Sequence, residues 1–147
     1  MPDGNDVLFD GGKPQAGPTV VAYLSGHGVT DIELLVATHG DAGHIGGLLG
    51  VLTSIPVSEA WLDSQMCTTG TCLDFYQALA DHGVVTTTVR MGESYAWGEV
   101  TTLVLNPSES LKTAEAVTTN GLATLYESTT MGVNGARRRS RIAALRG

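Results

Sequence analysis

The stretch "THGDAGHIGGL" (residues 38–48) decides how the chain is read. It follows the apolar run "IELLVA" (32–37) and places His39, Asp41 and His44 within six residues. An apolar run of this kind reads as a strand buried on both faces, here over residues 31–38. Its polar end then falls on a loop at the rim of a sheet, where open α/β folds commonly build sites. Imidazole nitrogen and carboxylate oxygen suit zinc, manganese or iron, and no soft sulfur is present to select copper. The same residues also fit a ligand-free reading, with His39 as a loop-capping group, Asp41 as an N-cap and His44 as a first-turn residue. Gly43 stands where a metal loop would carry another carboxylate.

Around this loop, strand and helix patterns alternate. "DVLF" (6–9) reads as a short buried strand followed by the turn "DGG" (10–12). Apolar spacing from Thr19 predicts a helix that ends at Gly26 or Gly28. Residues 44–54 predict a helix whose three glycines each weaken it by about 1 kcal/mol relative to alanine, a composition suited to very close packing. "VSEAWL" (57–62) predicts the next strand. Residues 72–83 predict an amphipathic helix with Leu73, Tyr76, Leu79 and Ala80 on its inner face and Gly83 as cap. Three β-branched stretches, 84–89, 99–105 and 121–127, predict further strands. The class is α/β with a β-rich second part.

The chain has 147 residues, is 42% hydrophobic and 16% charged, and is long enough for one domain with a core. No apolar segment is long enough to span a bilayer, and the N-terminus has none of the three regions of a signal peptide; the compartment is left open. Net charge is −7 and unevenly spread. Residues 1–136 hold all fifteen acids against Lys13, Arg90 and Lys112, a balance of −12, while residues 137–147 hold five arginines and no acid. Such a body repels a polyanion unless a metal or the tail offsets its charge. The tail reads either as a basic arm or as a disordered end, and the second reading is adopted, with a domain over 1–130 and a tail over 131–147.

Cys67 and Cys72 enclose four residues, and no second pair exists to complete a zinc ribbon. A loop disulfide and two thiols both remain open. His27 and His82 each precede a glycine at a helix end and read as terminal groups facing the helix dipole. Trp61 and Trp97 read as packing residues.

Taken with "VLFDGG" (7–12), the loop resembles the metallo-β-lactamase superfamily. The likeness is to the branch related to the soluble hydrolase-like domain of ComEC, the DNA-uptake (competence) channel protein, whose pattern is "LIDGG … THxDxDHIGGL". "VRMGESYAWGEVTTLVLNP" (89–107) is similar to a later glycine-bearing stretch of that branch, and "NGLATLYE" (120–127) more loosely to its asparagine-led strand. The resemblance covers residues 5–127. It implies an αββα sandwich, here the N-terminal βα half with a mixed sheet, because the later "TGD" and "HHGS" segments have no counterpart. A half sandwich leaves a sheet face uncovered, a surface for self-association.

Carried over, His39 and Asp41 match ligands of a first metal and His44 a ligand of a second. Asp10 matches a carboxylate that orients the loop from beneath, and Gly43 occupies the place of a ligating aspartate. The implied cofactor is divalent zinc or manganese, with at most one ion expected here. The implied reaction is hydrolysis of a phosphodiester, in nucleic acid among other substrates, by metal-activated water. Activity in this chain is expected to be impaired; the rival is a non-catalytic binding module. Domains of this branch typically lie outside the cytoplasmic membrane.

Overall fold

The computed structural model describes residues 4–63, 65–97, 100–107, 123–128 and 142–144. Five parallel strands form the main sheet in the order β4-β3-β2-β1-β8. These are β1 (Val7–Phe9), β2 (Ile32–Val36), β3 (Val57–Leu62), β4 (Val85–Thr88) and β8 (Ile142–Ala144). A second, antiparallel sheet runs β5-β6-β7, from β5 (Ser94–Trp97), β6 (Val100–Asn106) and β7 (Ala123–Ser128). Four α-helices, α1 (Gly17–Gly26), α2 (Ala42–Ile45), α3 (Leu48–Ser54) and α4 (Gly70–Asp81), link the first strands among the described residues.

Two apolar layers explain the arrangement. Leu8, Ile32, Leu35 and Ala60 point from the main sheet toward Val20, Leu48, Val51, Phe75 and Leu79 of the helices. Val7, Leu34, Val36 and Trp61 point the other way, against Val100 and Val104 of β6. Because β2 is buried on both faces, its sequence is a continuous apolar run rather than an alternating one. Strand β6 alternates strictly, Val100, Thr102 and Val104 inward, as a strand with only one buried side must.

The second layer corrects one expectation. The sheet face expected to lie open is covered: Leu34, Val36 and Trp61 are fully buried beneath the antiparallel sheet. Self-association through that face therefore lacks its surface. Trp61 packs on Tyr95 with ring centroids 4.5 Å apart, so its reading as a packing residue holds.

Other differences are local. The helix expected over residues 44–54 is broken into α2 and α3 at Gly46 and Gly47. A Cβ on Gly47 would run into the carbonyl oxygen of Gly11, and one on Gly46 into Pro14. The glycines let the "DGG" turn press into the helix, where Gly47 N–H donates to Gly12 O at 3.0 Å and Gly11 N–H to His44 O at 2.7 Å.

Helix α4 begins two residues earlier than expected and turns a different face inward. Cys72, Phe75 and Leu79 are buried, whereas Leu73 is 59% exposed and Ala80 faces solvent. The disulfide anchors Cys72, and the larger Phe75 outcompetes Leu73 for the core. Strand β5 was not anticipated, and three residues of the stretch expected to be disordered, Ile142–Ala144, form β8 beside β1. The remainder of 131–147, and the 120–122 portion of the asparagine-led match, lie outside the described residues.

Candidate metal centre

The parallel strands end together, and the site sits at that edge. β2 pairs with β1 on one side, Val36 opposite Phe9, and with β3 on the other, Val36 opposite Trp61. Continuing these registers brings Asp10, Thr38 and Asp63 to the same rim. Asp10 takes φ +51°, an uncommon left-handed backbone for a non-glycine residue that aspartate tolerates better than most.

From that position Asp10 fastens the loop. Its Oδ1 accepts from Thr38 N–H at 2.9 Å, and its Oδ2 accepts from the Thr38 hydroxyl at 2.7 Å and from His44 Nδ1 at 2.8 Å. A carboxylate only accepts, so His44 Nδ1 is the donor, and the neutral form of this ring keeps its lone pair on Nε2. The Thr38 hydroxyl has one proton, already given to Asp10. Its 3.0 Å contact with His39 Nδ1 therefore makes that nitrogen the donor, and His39 Nε2 is left bare as well. One buried carboxylate thus sets the tautomers of both histidines, whose ring centroids lie 3.9 Å apart.

His39 is 6% exposed, and its Nε2 is buried without a hydrogen-bond partner. Asp41 Oδ2 stands 3.6 Å away, too far for a hydrogen bond. Burial holds the His39 pKa below its ordinary value, and the neighbouring His44 lowers it further, against the opposing pull of Asp41, Asp10 and Asp63. Neutral imidazole with an unused, desolvated lone pair is the state in which a histidine ligates. The separation from Asp41 is close to that of two donors sharing one ion at roughly 2.0–2.2 Å each.

The donor chemistry fits a divalent ion, but the set is unfinished. Among the described residues, no three His, Cys, Asp or Glu side chains stand close enough together to hold one. Gly43 supplies no donor, and a Cβ built there meets nothing within 4 Å. Asp41 takes the N-cap position of α2 without a side-chain capping bond, so its carboxylate is not committed to the helix.

The structure adds neighbours that sequence reasoning missed. A cavity beside the loop is lined by His39, Asp41, Asp63, Gln65, Phe75 and Tyr76, among others. Asp63 is 5% exposed, and burial raises its pKa. Burial likewise raises that of Tyr76, with Asp63 adding to it. Cys67 and Cys72 form a disulfide, Cα–Cα 5.4 Å, which decides between the two readings left open. Its Cys72 sulfur packs on Gly40, between His39 and Asp41, 3.0 Å from where a Cβ would be. His27 and His82 occupy the C-caps of α1 and α4, away from the loop. No helix among the described residues is long and apolar enough to cross a membrane.

No protein-family profile matches the chain, and no curated protein matches it in sequence. Solved structures do match in fold. MEM-A1, a subclass B3 metallo-β-lactamase isolated from a soil metagenome library, superposes with a TM-score of 0.56 at 16% identity, over 86% of this chain and 48% of its own. The Rm3 metallo-β-lactamase gives 0.55 at 22% identity, over 87% and 48%. Zinc-bound PqqB from Methylobacterium extorquens gives 0.56 at 17% identity, over 88% and 48%. The chain spans about half the length of these structures. A parallel sheet flanked by helices on one face and an antiparallel sheet on the other, with the loop at the strand ends, is thus the metallo-β-lactamase fold over the part of it that this chain covers.

Proposed function

We propose that the loop after β2 is the donor-bearing half of a divalent-metal site in a hydrolase, with phosphodiesters, those of nucleic acid included, as the substrate class. The observation that carries this reading is the buried, unpartnered Nε2 of His39, held bare by the Asp10–Thr38 relay. His39 and Asp41 would hold the ion, and His44 would present its Nε2 from the neighbouring turn. Such an ion, when bound, supplies Lewis-acid polarisation and lowers the pKa of water toward ~7. Asp10 orients both rings and, through Thr38, leaves the neutral His39 with its proton on Nδ1, so none need leave its Nε2 on loading. The apolar layer beneath, with Ile45 and Leu48 buried, keeps water from competing for these groups on the core side.

Zinc is the first metal to test, since zinc-bound PqqB has this fold; manganese is the second. The phosphodiester assignment rests on the loop's resemblance to the ComEC-related branch. An acidic body favours it only if the ion offsets the charge. Gly43 favours a second reading, a binding domain of the same descent without turnover, because the open position there leaves two-metal chemistry without a ligand.

Metal content and hydrolysis of a generic phosphodiester, measured together after loading with zinc or manganese, separate the two. The hydrolase reading expects stoichiometric metal and turnover, both lost in His39→Ala. Metal without turnover supports the binding domain, and no metal at all removes the hydrolase reading.

A further inference from the structure

Asp63 is the unexplained group at this edge of the sheet. The residue is 5% exposed, and among the described residues its carboxylate accepts from Gln65, through the backbone N–H at 3.0 Å and the side-chain amide, with His39 the nearby imidazole. The nearby Arg90 donates to the backbone carbonyl of Asp63. A buried carboxylate without a cationic partner is costly, and proteins that keep one commonly pair it or give it to a metal. Among the described residues, the cavity that Asp63 lines contains no lysine or arginine. It does contain Asp41 and the unpartnered Nε2 of His39, which is 94% buried in the same wall.

We infer that Asp63 is a third donor to the divalent ion, supplying from the end of β3 the carboxylate that Gly43 lacks. The inference rests on the metal reading of His39 and Asp41. As the side chains stand, no three donors are close enough to hold an ion, so Asp63 joins by releasing Gln65. Both contacts with Gln65 span only two residues, and the adjoining Met66 is 89% exposed, so the exchange takes place within one surface turn. The ion replaces an amide as partner of a buried charge. His39, Asp41 and Asp63 together form an N,O,O set of hard and borderline donors, suited to zinc or manganese.

Calorimetric titration of the full chain with zinc and with manganese tests this, alongside His39→Ala, Asp63→Asn and Gln65→Ala. Asp63→Asn is expected to bind at least about tenfold more weakly and, with a buried charge removed, to melt no lower than the parent without metal. A residue with a purely structural role would not separate affinity from stability in this way. Gln65→Ala frees the carboxylate and is expected to bind more tightly. Cobalt loaded in place of zinc should change its visible absorption in Asp63→Asn. The inference is overturned if Asp63→Asn binds as tightly as the parent while His39→Ala does not, an outcome that leaves the metal reading standing. It is also overturned if Gln65→Ala weakens binding as Asp63→Asn does, since loss of the turn would then account for both. If the parent itself binds neither metal, the metal reading fails and takes the inference with it.

Discussion

Two loops meet at the C-terminal edge of the parallel sheet and are held by different means. The loop after β2 is fastened from below by Asp10, whose carboxylate accepts three hydrogen bonds, and by interlocked glycine backbones at Gly11 and Gly47. The loop after β3 is tied to the start of α4 by the Cys67–Cys72 disulfide, to Arg90 through the Asp63 carbonyl, and within its turn by Asp63 bonding to Gln65. The first spends its polar groups on orienting two histidines; the second keeps its carboxylate within the turn. The difference teaches where rigidity resides. One loop is braced by a carboxylate from beside a neighbouring strand, and the other by a covalent link to the helix that follows it.

That contrast can be broken at its strongest point first. Gly47→Ala drives a Cβ into the Gly11 carbonyl and should destabilise the protein by about 3 kcal/mol, the upper range for overpacking a tight site. Chemical denaturation reads this as a lower midpoint. A midpoint unchanged from the parent would show that the two turns are not interlocked. Asp10→Ala removes the acceptor for Thr38 N–H, the Thr38 hydroxyl and His44 Nδ1 together. A loss of about 2–3 kcal/mol is expected for a charged hydrogen-bonding group of this kind, with freed imidazole tautomers visible in nitrogen NMR shifts of His39 and His44. Retention of both tautomers would mean that Asp10 does not set them.

The second loop should respond less. Opening Cys67–Cys72, by reduction or as a Cys67→Ser/Cys72→Ser pair, is expected to cost about 2 kcal/mol for so short a closed loop. Its effect should concentrate in amide exchange around residues 65–72, leaving the Asp10 hydrogen bonds protected. Protection lost equally at Thr38 would erase the distinction between the loops. Asp63→Asn acts in the opposite direction. Burial raises the Asp63 pKa in the folded state, so its charged form opposes folding once pH exceeds the ordinary carboxylate value of ~4. The variant should gain stability near neutral pH, and that gain should vanish below that value. A gain independent of pH would point to packing instead. The smallest stability change belongs to Gly43→Asp, because the Cβ position there is open. Stability should move by no more than about 0.5 kcal/mol, while metal affinity rises if the pocket is a site.

Much of this was legible in the sequence, for identifiable reasons. β3 falls on residues 57–62 as expected, bounded by a proline and an aspartate, and β2 lies within the expected 31–38, its apolar run matching a strand buried on both faces. The helix caps at His27 and His82 were readable because Gly28 and Gly83 follow with positive φ. His39 and Asp41 fall on the loop and His44 in the short helix that follows it, and Asp10 reaches the loop and His44 from the turn after β1. Asp63 was not legible. Nothing near it in the chain marks it, and it comes level with Thr38 only through the pairing of Val36 with Trp61. A search for acids at the ends of neighbouring parallel strands would have found it. The inner face of α4 was misread because helical periodicity alone does not weigh a disulfide at Cys72 or the size of Phe75.

The sequence by itself determined what depends on neighbours along the chain: the strand that ends in a polar loop, the donor types in that loop, and the missing carboxylate at Gly43. Only the tertiary structure decided what depends on residues far apart meeting. It showed that Asp10 and Thr38 orient both histidines and leave His39 with a buried, unpartnered Nε2. It also closed Cys67 with Cys72 and covered the second sheet face with β6. The physical reason is range. Side-chain chemistry and periodicity are written locally, whereas protonation, burial and partnership are set by which strands pair and which layers pack.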